Sequence, residues 1–304
     1  MRIGIDIGGS HIATGIVNEE GKIIDKEEKD IYLGEVAETE ERAKEIILAT
    51  ITSEIDNLLK KNNYTKSDIS KIGIATPGNP SATNLRNLVN MKIKDFNIVD
   101  ELKKSYNTTI KVKNDGKCSG LAEKKYGVLR GYEDCIYLCL GTGVGSAVFL
   151  NNKLLTPKLN TGFELGHMVI DKNGEQCNCG NRGCFETFAS IKRFRAKFIK
   201  AFNLPEDCVA EEVQQYIRKN IDREDVKAFI DEYIANVAIG VANLINIFEP
   251  EAIAFGGSFA YYDDIFMPSL KKQVEKYVFN KETKYKLLVG QLKNDAGIVG
   301  AAEL

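Results

Sequence analysis

One architectural unit occurs twice in this 304-residue chain, and that recurrence narrows its possible folds more than any other feature. Residues 2–7, RIGIDI, alternate in character, run into Gly8-Gly9-Ser10, and continue through HIATGIV and a polar turn, NEEGK, to Ile23-Ile24. From residue 136, IYLCLGTGVGSAVFLNNKLL repeats the order: strand, glycine turn, strand, two-residue polar turn at Asn151-Asn152, strand. The alternation predicts strands, and helical stretches between them make each half α/β. Residues 35–62 carry Ala43, Ile46, Ile47, Ile51, Ile55, Leu58 and Leu59 at spacings of three and four, which predicts an amphipathic helix lying on a sheet. KIGIATPG (71–78), TTIKVKND (108–115) and PEAIAFGG (250–257) predict further strands, while residues 116–127 and 190–247 read as helical. The repeat divides the chain into two α/β domains, 1–113 and 114–292.

Bulk properties exclude several classes. The formal charge is −2 and the pI about 5.9, so no general electrostatic drive toward nucleic acid or anionic membrane exists. No run of about 18 uninterrupted apolar residues predicts a membrane span. Asp6 and several glycines interrupt the apolar N-terminus, which reads as a strand and not a signal peptide. Seven cysteines without such a signal fit a reducing cytoplasm, where clustered thiols bind metals or do redox chemistry.

Three strands end in glycine turns: Gly8-Gly9-Ser10, Gly141-Thr142-Gly143-Val144-Gly145 and Gly256-Gly257-Ser258. Each alone is a tight turn; together they predict a phosphate-bearing ligand, because glycine lets backbone N–H groups approach an anion. The sequence has no G-x-x-x-x-G-K-[ST] loop. A dinucleotide fingerprint needs a helix after its glycines, whereas GTGVGS is followed by an apparent strand. The expectation is two hairpin turns, one from each half, holding a polyphosphate across a cleft. Asp6, beside the first turn, is placed to hold Mg²⁺ through water or to be satisfied by local backbone.

Asn114-Asp115 stands where a strand gives way to a helix. Asp115 either caps that helix or accepts the proton of an attacking hydroxyl, with Asn114 fixing neighbouring hydroxyls. The segment CNCGNRGCFE (177–186) puts Cys177, Cys179 and Cys184 within eight positions, and His167, one of only two histidines, lies ten residues upstream. These four are a complete ligand set for structural Zn²⁺, with a Cys177–Cys179 redox pair as the alternative. Closing such a site would gather Glu164, His167 and Glu186 as candidate sugar contacts, although a Glu by itself is more often a solvated surface residue.

At these residues the chain resembles the ROK family of bacterial sugar kinases and repressors. The resemblance rests on DIGGS, PG at 77–78, ND at 114–115, GTGVG at 141–145, ELGH, CNCGNRGCFETFAS, PEAIAFGG and DAGIVGAAEL. It implies two ribonuclease-H-like, actin-like ATPase domains around a central cleft, the first completed by the C-terminal helix 293–304. It implies a kinase using ATP with Mg²⁺ and a structural Zn²⁺, acting on a small-molecule sugar and assembling as a homodimer or tetramer. By resemblance Asp115 is the base, Asn114, Glu164, His167 and Glu186 contact sugar, and His167 with the three cysteines binds zinc. The turns at 8–10 and 141–145 take phosphates, and Gly256-Gly257 the adenosine. Glucose is the expected acceptor, through its 6-OH. N-acetylmannosamine or N-acetylglucosamine is the alternative, with fructose and allose less favoured. Family regulators carry an added DNA-binding segment ahead of the first strand, which is not expected here; a non-catalytic sugar sensor is the other reading. His11 in place of a usual lysine, Ser146-Ala147, Phe163 and NLVNMKIKD (87–95) depart from the family pattern and leave the sugar open.

Overall fold

In a computed structural model of the chain, residues 1–88, 91–158 and 162–304 are described, so part of NLVNMKIKD lies outside the described residues. They divide into two compact units: Met1–Gly131 with Leu154–Phe163 and Leu292–Leu304, and Tyr132–Lys153 with Glu164–Gln291. The first unit runs β1 (Arg2–Ile7), β2 (His11–Val17), β3 (Ile23–Asp30), α1 (Leu33–Val36), α2 (Glu40–Lys61), β4 (Lys71–Thr76), β5 (Leu85–Leu88), β6 (Ile93–Phe96), α3 (Ile98–Lys103), β7 (Thr109–Asn114) and α4 (Asp115–Lys125). The second holds β8 (Cys135–Leu140), β9 (Val144–Leu150), β10 (Lys153–Leu154), α5 (Phe185–Ala189), α6 (Ile191–Ala201), α7 (Ala210–Lys219), α8 (Glu224–Phe248), β11 (Ala252–Gly256), α9 (Asp263–Tyr277) and β12 (Lys286–Val289). The chain then returns to the first unit with α10 (Ala296–Ala301).

The repeat read from the sequence is present in the hydrogen bonding. The two five-stranded sheets have the orders β3-β2-β1-β4-β7 and β10-β9-β8-β11-β12. In each, the leading hairpin is antiparallel and the later strands join in parallel. Asn151 and Asn152 both adopt positive φ, 51° and 61°, as a two-residue hairpin turn requires. The sequence places the domain junction at residues 113–114. In the structure α4 packs on α10, with Ala122 clustered against Ala296 and Val299, and the first unit runs on to Gly131. The helix expected over 35–62 begins at Glu40, because the Thr39 side chain accepts the Arg42 N–H and caps it there.

Alternation along β1 and β4 sets the layers of the first unit. Ile3, Ile5, Ile7, Ile72 and Ile74 share one core with Ile47, Ile51, Ile55 and Leu58 of α2. The intervening positions are small, and α10 lies on them: a Cβ at Gly4 would sit 1.9 Å from the Ile298 carbonyl oxygen, and one at Gly73 would sit 1.7 Å from that of Ala301. Only glycine permits this approach. Asp6 follows Gly4 on the same face, which is how β1 delivers a carboxylate to the α10 side of the sheet.

Although α8 is long and apolar enough to cross a bilayer, Ile230, Ile234, Val237, Val241 and Ile245 are buried, and it packs against α5 and α9 within the second unit.

The α2 core face carries one acid, Glu54, only 4% exposed. Its Oε2 accepts a hydrogen bond from Thr14 Oγ1 at 2.6 Å, while Oε1 has no partner among the described residues. Burial raises its pKa from 4.5 to about 7; the Thr14 hydrogen bond opposes the shift and Glu27 adds to it. An acid shifted upward contributes stability below its unfolded pKa, and the contribution is lost as pH rises through 7. Glu54→Gln is therefore expected to gain on the order of 2 kcal/mol at pH 8 relative to its effect near pH 4.5. Thermal unfolding of both proteins across that range checks this; parallel pH profiles would refute it.

Candidate active site

Within the first unit, Asp6, Asn114 and Asp115 come together at the strand ends. A Cβ at Gly297 would lie 2.0 Å from Asp6 Oδ2, so α10 leaves room for that carboxylate. Burial, with the charges of Asp115 and Glu28 adding to it, pushes the Asp6 carboxyl up to about 7. Asn114 ends β7 and caps α4, its Oδ1 accepting from the Lys117 N–H at 3.2 Å while its Nδ2 donates to the Gly78 carbonyl at 3.2 Å. Asp115 therefore stands at the first helical position without the capping role. One of its oxygens accepts the Gly116 N–H at 2.7 Å.

At the first glycine turn the Gly8 N–H donates to the His11 carbonyl at 2.9 Å, closing the hairpin, and Ser10 accepts the N–H groups of Ile31 and Tyr32. The His11 ring lies over Gly8, 2.8 Å from where a Cβ would be, whereas nothing lies within 4 Å of the same position at Gly9. The open side of this turn is at Gly9.

The second turn is bound from two directions. The Gly141 carbonyl accepts the Lys192 N–H from the first turn of α6 at 3.1 Å, and the Val144 N–H donates to Glu186 Oε2 at 3.0 Å. A Cβ at Gly143 would come within 2.5 Å of that oxygen. Gly145 lies in β9 opposite Cys139, outside the turn itself. At Gly256 a Cβ would overlap the Tyr137 hydroxyl at 1.9 Å, and Gly257 has φ of 66°. Close packing of β11 on β8 thus accounts for this glycine pair. It brings Ser258 to the wall of a cavity of about 880 Å³, shared with Gly141, Thr142 and α6.

The cysteine segment folds into a knuckle. Cys177 N–H donates to Asn181, Gly180 N–H to Cys177, and an isolated bridge pairs Val169 with Cys184. Gly183 has φ of 68°, and a Cβ there would strike the Asp171 carbonyl oxygen. His167, Cys177, Cys179 and Cys184 offer ligand atoms all within 4.8 Å of one another. Cys177 Sγ is 3.7 Å from His167 Nδ1, and Cys179 Sγ is 3.6 Å from that of Cys184. Burial and the neighbouring thiols push Cys184 up to about 12, burial raises Cys177, and the Asn181 N–H lowers Cys179. Thiols this close resist ionising together, and a bound divalent cation removes that conflict, so the donor set fits a metal. Glu164 directly precedes the short turn Leu165–His167 and follows Phe163, which is left-handed with φ of 60°.

Glu186 joins the two features. One oxygen holds Val144 of the glycine turn and the other lies 3.7 Å from Cys177 Sγ. Reading the sequence assigned Glu186 to sugar and missed this link, which joins residues 42 positions apart and leaves no local signal. Lys192 and Arg195, which line the cavity, were also missed; their spacing on one face of α6 was the available clue.

The model of the ROK family matches residues 2–304. A glucokinase of Thermotoga maritima is 31% identical, covering 99% of this chain and 96% of its own length. A xylose repressor of Caldicellulosiruptor bescii is 29% identical over 98% of this chain and 76% of its own. Among solved structures, a ROK family glucokinase of Streptomyces griseus, in complex with glucose and AMPPNP, has a TM-score of 0.81 at 23% identity, covering 99% of this chain and 98% of its own.

Proposed function

The chain belongs to the ROK family, and on that premise we propose that it is a sugar kinase transferring the γ-phosphoryl group of ATP to a hexose hydroxyl, the 6-OH of glucose first among the candidates. One observation carries the reading. Asn114 takes the capping role at α4, which leaves the Asp115 carboxylate at a helix N-terminus and within electrostatic reach of Asp6.

In this reading Asp115, at the N-terminus of α4, accepts the proton of the sugar hydroxyl. The freed oxygen forms its bond to the γ-phosphorus as the bond to the β,γ-bridging oxygen breaks, and ADP leaves with that electron pair. Asn114, Glu164, His167 and Glu186 orient the sugar. Gly8, Gly9, Ser10, Gly141, Thr142 and Gly143 surround phosphates, with Gly145 supporting the second turn from β9 and Gly256-Gly257 shaping the adenosine side. Asp6 would hold Mg²⁺ through water, and that ion supplies neutralising charge to the phosphates. Its elevated pKa among acidic neighbours is the electrostatic setting that a cation relieves. His167, Cys177, Cys179 and Cys184 would hold Zn²⁺; four protein ligands close the shell to water, so its role is structural.

The test is ADP release from MgATP with glucose, N-acetylmannosamine, N-acetylglucosamine, fructose, mannose and allose. One sugar with a kcat/KM far above the others supports the reading and names the acceptor. Absence of turnover on all, with sequence-specific DNA binding instead, would replace it with the regulator's role that the xylose repressor has.

A further inference from the structure

The wall of the cavity beside the second glycine turn is one stripe of α6: Ile191, Lys192, Arg195, Ala196, Ile199 and Lys200. These positions recur at the helical spacing of one face. The opposite side of the helix is held rigidly, since Phe194 packs against Phe198, Phe229, Tyr233, Tyr262 and Phe266 with ring centroids 4.5–5.9 Å apart. Other cations of α6 are already engaged with the knuckle: Arg193 bonds Glu175 and the Gln176 carbonyl, and Lys197 pairs with Glu175. Arg195 differs from them. Its Nε is buried and has no hydrogen-bond partner among the described residues, while the side chain borders the cavity. A buried guanidinium N–H left unmade is costly, and a ligand acceptor entering the cavity would satisfy it.

We propose that Arg195 is a donor-binding residue whose guanidinium hydrogen-bonds an oxygen of the donor's polyphosphate tail. Position along the helix selects the tail over the nucleoside. Lys192 is tied through its N–H to Gly141 of the turn, and Arg195 follows about 4.5 Å further along α6. Asn203, Leu204, Glu206 and Cys208 border the cavity beyond the C-terminal end of α6, where a base would lie. The anionic tail therefore meets Lys192 and Arg195. This inference rests on the nucleotide half of the kinase reading.

Calorimetric titration of the full chain and of Arg195→Met and Arg195→Lys with MgATP, MgADP and adenosine tests it. Arg195→Met is expected to weaken MgATP and MgADP about 10- to 100-fold while leaving adenosine affinity, sugar KM and Tm unchanged. Arg195→Lys should fall between, keeping the charge but losing the planar fork. Unchanged MgATP affinity in Arg195→Met overturns the assignment. Equal weakening of adenosine overturns it too, by moving the contact to the nucleoside. If the unaltered protein binds MgADP in an Arg195-dependent way yet phosphorylates no sugar, the acceptor reading fails while this one stands.

Discussion

Asp115→Asn should fold and bind sugar as the parent protein does, yet turn over about 10³-fold more slowly. The substitution is nearly isosteric, and Asn114, not Asp115, supplies the cap of α4. What the amide cannot do is accept a proton from the attacking hydroxyl. The signature is a fall in kcat with little change in sugar KM, since an interaction used only in the transition state has been removed. Near-normal turnover would remove Asp115 as the base. A matched fall in sugar affinity would reassign it to substrate binding. Calorimetric titration of the sugar, beside steady-state ADP release, separates these outcomes.

Cys184→Ser should abolish the zinc binding proposed for His167 and the three cysteines and, with it, remove at least about 4 kcal/mol of stability in the second unit, a drop in Tm of roughly 10 °C. Cys184 is buried, bridges to Val169 and immediately precedes α5, so the knuckle and the helix carrying Glu186 are displaced together. The Glu186 bond to the Val144 N–H should weaken as a result, and the KM for MgATP should rise along with the instability. Elemental analysis of purified parent and variant, paired with thermal unfolding with and without chelator, provides the check. Parent protein containing no stoichiometric metal, or a chelator-insensitive Tm, would show that the four ligands act only as packing.

Some of this protein could be read one residue at a time. The alternation Ile3-Gly4-Ile5-Asp6-Ile7 already sorts the side chains of β1 onto two faces, because the strand period is two; the structure puts α2 on the isoleucine face and α10 on the other. The repeat of strand, glycine turn and strand likewise anticipates two sheets of one order, since hairpins are local structures. Ligand chemistry is also local: three cysteines in eight positions and a histidine ten residues away are a donor set before any fold is known. The return of the C-terminal helix to the first unit came from the family resemblance and not from any local pattern, and the continuation of that unit to Gly131 was not legible, because it depends on α4 packing against α10 from the far end of the chain.

The sequence by itself determined the strand faces, the doubled sheet and the identities of the metal-capable side chains, all properties of short segments with a fixed period or a fixed chemistry. Only the tertiary structure decided that Asn114 also donates to the Gly78 carbonyl, that Gly256 is small to clear Tyr137, and that Glu186 spans from Cys177 to the Val144 N–H. The physical reason is that hydrogen bonds and steric contacts between elements are set by how strands and helices cross, and no local pattern encodes that crossing.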